Sequence, residues 1–251
     1  MSVKMPEYIW NPKTQGSGIV TCIPQTGTCP NNCEDCFFQS SRSYLEPLDK
    51  NLPQIPPKNF AEGRIVRMND GNDSNVQREL VEKTAQQFKD YFFNTAIPKD
   101  LAQFSGPVVL TVNPGKMTDT SFHKLDPPIP DNLMFVRVRT NAWNLSTIVD
   151  PVVKYYTSQG VVVVLTFMAY YRINLPSNFA DFYVWKKRTL NSYWCLTAEA
   201  IANIEDTYQQ NPLVCTCGRK GQYSCSLCGG CIREYYNAKE RMCGAAGRFK
   251  I

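Results

Sequence analysis

The chain has 251 residues, 43% of them hydrophobic and 20% charged, with a formal charge of +5. That length suits one sizeable core, or a core with a small appendage, and the composition is that of a globular protein. The charge is too mild to select nucleic acid, a nucleotide or any other anion as a partner.

The first twenty residues carry Lys4, Pro6, Pro12, Lys13 and Gly16 and no apolar run, so no secretory signal is expected. The longest apolar stretch, 161–171, is about half the length of a membrane-spanning helix, which predicts a cytoplasmic protein outside the membrane. In such a compartment eleven cysteines, an odd number, argue for metal rather than disulfides. The one histidine, His123, stands in a loop-like stretch with nothing to pair with, which excludes His-rich metal sites and disfavours Ser-His-Asp or Cys-His catalysis.

In chain order, 18–23 (GIVTCI) is an apolar run stopped by Pro24 and predicts a buried strand. A second strand is expected at 64–68 (RIVRM), broken by the turn NDGND. Ser74 followed by Gln77 forms a capping-box pattern, and Val76, Leu80, Thr84, Phe88 and Phe92 share one face, predicting a helix that opens at Ser74. Further strands are expected at 108–112 (VVLTV) and 134–139 (MFVRVR). Asp150 as cap and Pro151 in the first turn open a helix that Gly160 closes. The run 161–168 (VVVVLTFM) is apolar on both faces, as a central parallel strand is. Thr197 caps a last helix with Ile201, Ile204 and Tyr208 on one stripe.

Two stretches fit no element of this alternation. The first, 45–60, holds Pro47, Pro53, Pro56 and Pro57 and is expected to be a surface excursion; the second, 170–194, is aromatic-rich around Lys186-Lys187-Arg188. Alternating strands and helices imply an α/β class with a parallel sheet.

Composition shifts after residue 210. Cys215, Cys217, Cys225, Cys228 and Cys231 fall within seventeen residues, and Cys243 follows. They predict a small metal-binding module over 211–251 behind an α/β core over 1–210. The ligands could be four thiolates on a structural zinc with one left over, or could hold a second iron-sulfur cluster. Arg233, Lys239, Arg241, Arg248 and Lys250 could touch phosphate, although an ordinary solvated helix over 232–242 accounts for them as well.

Cys29, Cys33 and Cys36 (CPNNCEDC) offer three thiolates from one short loop and no local fourth. Three protein ligands on a four-iron cluster leave one iron open, which makes a site for chemistry rather than a staple. The alternative is half of a zinc site completed by Cys22 or a distant cysteine, but Cys22 reads more simply as part of the first strand's core.

A CxxxCxxC triplet after the first strand of an α/β chain resembles the radical S-adenosylmethionine superfamily, here over about residues 17–210. The resemblance implies a partial (β/α)6 TIM-like barrel and a 4Fe-4S cluster on Cys29, Cys33 and Cys36. It implies S-adenosylmethionine chelated at the open iron and cleaved reductively to a 5′-deoxyadenosyl radical, with a flavodoxin- or ferredoxin-like electron donor. In this family a turn after the second strand meets the cofactor's amino group; here Asn69, Asp70, Gly71 and Asp73 stand there, with Asp70 or Asp73 as the acceptor. Arg139 and Asn141, after the fourth strand, match positions of carboxylate or ribose ligands. Asp35 replaces the usual aromatic before the last cysteine, which shifts the expected adenine contact to Phe37. No G-x-I-x-G-x-x-E motif is present at the fifth strand. The substrate is expected at the C-terminal mouth of the barrel, under 170–194, and no reaction type is implied. The rival readings are a non-catalytic zinc protein with a basic tail on nucleic acid, and a relative that keeps the cluster but senses redox state without turnover.

Overall fold

Seven strands pair side by side in the order in which the chain makes them. The computed structural model describes residues 7–31, 33, 36, 38–39, 43–113, 122, 124–170, 175–187, 192–217 and 224–248. Strands β1 (Ile19–Cys22), β2 (Ile65–Met68), β3 (Tyr91–Thr95), β4 (Val108–Val112), β5 (Leu133–Thr140), β6 (Val163–Phe167) and β10 (Val214–Thr216) form one sheet in the order β1-β2-β3-β4-β5-β6-β10. Every register described within it is parallel, as the apolar strand runs imply. Among the described residues the sheet does not close on itself. Three short strands, β7 (Ala169–Tyr170), β8 (Tyr183–Lys186) and β9 (Tyr193–Leu196), make a separate antiparallel sheet from the aromatic-rich stretch.

The helices described are α1 (Leu48–Asn51), α2 (Lys58–Ala61), α3 (Arg78–Ala85), α4 (Asp150–Ser158), α5 (Ala198–Tyr208), α6 (Cys225–Cys228) and α7 (Gly230–Arg248). The chain divides into two compact units. One is Met1–Leu110, Leu125–Met134 and Ser224–Ile251; the other is Thr111–Lys124 and Phe135–Tyr223.

In the first unit, Thr21, Arg67 and Phe92 stand in register across β1, β2 and β3 and so share a face. The opposite face carries Val66, Met68 and Phe93. Phe104 stacks on Phe93 at 4.7 Å between ring centroids, and the Arg78 guanidinium lies 4.0 Å over Phe104, so α3 belongs to that second face. Val81 and Ala85 are its fully buried residues.

The helix expected from Ser74 through Phe92 is shorter and begins later. Gln77 takes the left-handed conformation (φ 52°) and has no side-chain cap, so the capping box does not form and α3 starts at Arg78. Leu80 is 43% exposed, off the buried stripe. Phe92 lies in β3, a strand the helical spacing of Phe88 and Phe92 concealed. Segment 45–60 is also not a plain surface excursion: Leu45 and Leu52 are buried with Ile23 and Phe38, and Gln54 bridges to Ile23 through backbone bonds of 2.7 and 2.8 Å.

The C-terminal helix is formed, but it is not simply solvated. Ile232 Cδ1 lies 3.5 Å from where a Cβ on Gly18 would stand, Tyr235 donates to Asp90 at 3.0 Å, and Arg241 donates to the Leu133 carbonyl at 2.6 Å. Glu234, Tyr235 and Ala238 are buried. Helix α7 thus lies at the N-terminal ends of β1 and β3.

In the second unit, Gly160 (φ 73°) follows α4, and the Thr197 hydroxyl accepts from the Ala200 amide at 3.1 Å as the cap of α5. Asp150 lies within helical backbone after a π-turn at Leu145–Val149 and makes no side-chain cap, because the chain is already coiled when it arrives there.

Candidate metal and cofactor site

The cysteine loop leaves the C-terminal end of β1 and is tied to the ends of β2 and β3. Cys22, in β1, is fully buried, as its place in an apolar run suggests. Cys29, Cys33 and Cys36 are partly exposed, and the Cys36 amide donates to the Cys33 carbonyl at 3.2 Å. Burial pushes the Cys29 thiol up to about 11, with Asp73, Cys33 and Cys36 adding in the same direction. Cys33 and Cys36 thus each lie within electrostatic reach of Cys29.

Asp73 holds this loop in place. Its Oδ1 accepts from the Thr95 hydroxyl at 2.6 Å and the Asn75 amide at 2.8 Å; its Oδ2 accepts from the Ala96 amide at 2.7 Å and from Asn31 Nδ2 at 2.9 Å. Two backbone links run the same way. Gln25 Nε2 donates to the Asp73 carbonyl at 3.1 Å, and Asn72 Nδ2 donates to the Gly27 carbonyl at 3.2 Å.

The other residues of the 69–73 turn are engaged differently. Asp70 forms an ion pair with Arg67 and also accepts from Asn11 Nδ2. Burial works against the charge on Arg67, but Asp70, then Cys231 and Cys225, more than offset it and hold the guanidinium charged. Gly71 has no room for a side chain, since a Cβ there would overlap the Phe38 ring. Phe38 in turn sits in the core cluster against which Cys36 packs. The glycine thus serves loop packing. Asn69 (φ 61°) donates from its amide to the Cys22 carbonyl at 2.7 Å and from Nδ2 to Ser74 at 3.2 Å. Its Oδ1 is buried and accepts nothing.

Asn94 lies in β3, a strand that the helix-like spacing of Phe88 and Phe92 masks. Its Nδ2 donates to the Met68 carbonyl at 3.1 Å, while its Oδ1 is buried without a donor. Gln25 likewise leaves Oε1 buried and unpaired. Three amide oxygens without donors thus border the ends of β1, β2 and β3, where buried acceptors normally find partners.

Among the described residues, no three His, Cys, Asp or Glu groups stand in a ready metal-holding arrangement. The donor chemistry nevertheless suits an iron-sulfur cluster, because three thiols come from one loop pinned to strand ends. Cluster binding would have to displace the proton of Cys29, which burial holds on the sulfur. The orphaned oxygens of Asn69 and Asn94 fit a ligand that brings N–H donors, such as an ammonium group.

No family model, curated protein or solved structure matches this chain. The residues of the site must therefore carry the functional reading by themselves.

The second unit holds Arg139 and Asn141. Arg139 Nε lies 2.8 Å from Met168 Sδ. Asn141 is an organiser of its own loop: Oδ1 accepts from the Trp143 and Asn144 amides at 3.0 and 2.8 Å, and Nδ2 donates to the Tyr170 hydroxyl at 2.9 Å. Trp143 packs among Tyr170, Phe179 and Tyr183 at 5.1–5.7 Å between centroids. Tyr183, whose hydroxyl accepts from the Ala142 amide at 3.2 Å, has its pKa pushed far up by burial. Phe37, Asp35 and His123 lie outside the described residues.

The five C-terminal cysteines do not fall in one compact unit. Cys215 lies in β10, paired with β6, and Cys217 follows it in the second unit. Cys225 and Cys228 form α6, and Cys231 lies in the first turn of α7, in the first unit. The Cys225 amide donates to the Lys13 carbonyl at 3.1 Å, which ties this trio to the segment before β1.

Proposed function

We propose that the protein is a radical S-adenosylmethionine enzyme built on a partial (β/α)6 barrel. Sequential parallel order supports the barrel-like architecture, since the strands of the sheet lie in chain order, β6 skipping the small sheet to pair with β10, and no switch in strand order occurs. The single observation that carries the functional reading is the anchored loop of Cys29, Cys33 and Cys36 at the strand ends, bordered by unpaired amide oxygens of Asn69 and Asn94.

Cys29, Cys33 and Cys36 would hold a 4Fe-4S cluster and leave one iron without a protein ligand. A bound cluster supplies the electron for reductive cleavage of S-adenosylmethionine, chemistry that no side chain provides. The chain's own contribution is placement. Asn69 Oδ1 and Asn94 Oδ1, buried without donors, would be the acceptors for the cofactor's ammonium group, a charge-assisted bond of about 1.5–3 kcal/mol. Asp70 and Asp73, whose oxygens already have partners, keep the turn and the cysteine loop in position. An electron donor of flavodoxin or ferredoxin type is the partner this chemistry calls for.

Anaerobic reconstitution with iron and sulfide, followed by reduction in the presence of S-adenosylmethionine, tests the proposal. Brown protein that releases 5′-deoxyadenosine supports it, and so does loss of that product in Cys33→Ala. Colourless protein carrying stoichiometric zinc and no iron at the triplet overturns it in favour of a structural zinc protein. Iron without deoxyadenosine points to a cluster that senses redox state.

A further inference from the structure

Four donors converge on the Asp73 carboxylate, two to each oxygen: the Thr95 hydroxyl and Asn75 amide on Oδ1, and the Ala96 amide and Asn31 side chain on Oδ2. Three of the four come from its own turn or the end of β3 and are plain structural bonds. The fourth is different. Asn31 stands between Cys29 and Cys33, so its amide ties the middle of the cysteine loop to the sheet. An oxygen pair that only accepts has the bonding pattern of an ionised carboxylate, and this one is buried. Through Asn31 it is bonded to the loop two residues from Cys29.

We infer that Asp73 is a positioning residue for the metal site, clamping the cysteine loop through Asn31 and setting a low reduction potential for the cluster by placing a buried negative charge beside Cys29. The inference rests on the proposed function for the cluster itself, but not for the clamp. Two physical effects lead to it. Cluster potentials respond to net charge and hydrogen bonding around the sulfurs, and an added negative charge disfavours the reduced, more negative state. That charge is itself buried, where screening by water is weaker than at an exposed carboxylate. A low potential is what reductive cleavage of a sulfonium requires of an electron source. Asp73 thereby has a role apart from contact with the cofactor's amino group, for which no oxygen of it is left unpartnered.

The test uses the full chain with Asp73→Asn, which keeps the shape and removes the charge, and Asn31→Ala, which cuts the clamp and keeps the charge. Two quantities are read: the midpoint potential of the reconstituted cluster by EPR-monitored titration, and the alkylation rate of Cys29 in the metal-free protein by mass spectrometry. Asp73→Asn is expected to raise the potential. Asn31→Ala is expected to speed Cys29 alkylation several-fold. A folded Asp73→Asn protein with a cluster at the wild-type potential overturns the electrostatic role, and unchanged alkylation in Asn31→Ala overturns the clamp. If Asp73→Asn does not fold, Asn31→Ala, altered only in a partly exposed loop, still decides the clamp. A wild-type chain that takes up no cluster sinks the proposed function and the potential argument with it, and alkylation then judges the clamp alone.

Discussion

Phe38 occupies the space where a side chain on Gly71 would be, so the turn after β2 and the end of the cysteine loop are packed against each other without a gap. Phe38 also joins Ile23, Leu45 and Leu52 in a buried cluster that Cys36 borders. Gly71→Ala is therefore expected to force Phe38 aside, at a cost of about 1–3 kcal/mol typical of overpacking. Gly27→Ala is the matched control, because nothing lies within 4 Å of its added Cβ. Denaturant melts should separate the two substitutions; equal midpoints would contradict the packing.

In the Arg67–Asp70 pair Arg67 is buried, 8% exposed, and Asp70 is mostly covered. Asp70→Asn leaves a guanidinium without its counter-charge and should cost about 3–5 kcal/mol, whereas replacing both partners by apolar residues should cost less. A double-mutant cycle measures this. Additive losses would show that the two charges are not coupled.

Alkaline stability follows from two weak acids that the fold keeps protonated, the buried Cys22 and the half-buried Tyr44. Burial pushes the Cys22 thiol far above its ordinary 9.0, and burial, with Asp70, pushes the Tyr44 phenol above its ordinary 10.0. Both groups keep their protons longer folded than unfolded. Their contribution is complete below the unfolded values and is lost as pH rises beyond them, by up to about 1.4 kcal/mol per pH unit per group. Stability measured by urea melts should decline above pH 9, and Cys22→Ala should decline less steeply. A Cys22→Ala slope equal to that of the wild type would count against this account.

Tyr235 tests whether α7 is integral to the first unit. Tyr235→Phe removes only the bond to Asp90 and should cost about 1 kcal/mol, while Tyr235→Ala removes a fully buried ring near Phe92 and should cost about 3–5 kcal/mol. Near-wild-type melting of both would mean that α7 is dispensable.

Much of the fold was legible because continuous apolar runs such as VVVVLTFM have few ways to be buried other than as inner parallel strands. β3 was not legible, since Phe88 and Phe92 stand four apart and mimic a helical stripe, and only the left-handed Gln77 and the pairing with β2 expose the error. Losing β3 also hid Asn94. The triplet Cys29, Cys33 and Cys36 was readable from spacing alone, but the duty of Asp73 was not, because Thr95 and Ala96 reach it from a strand more than twenty residues away. The buried side of α7 left a signal in the three-residue spacing of Ile232, Tyr235 and Ala238, outweighed by the basic residues between and after them.

The central claim is that Cys29, Cys33 and Cys36 hold an iron-sulfur cluster with one iron open to S-adenosylmethionine. EPR of the anaerobically reduced protein, recorded with and without S-adenosylmethionine, addresses it most directly. The account predicts a reduced-cluster signal that changes shape when the cofactor is added and is absent from the Cys29, Cys33 and Cys36 triple-alanine variant. A signal indifferent to the cofactor, or one that survives the triple substitution, would contradict it.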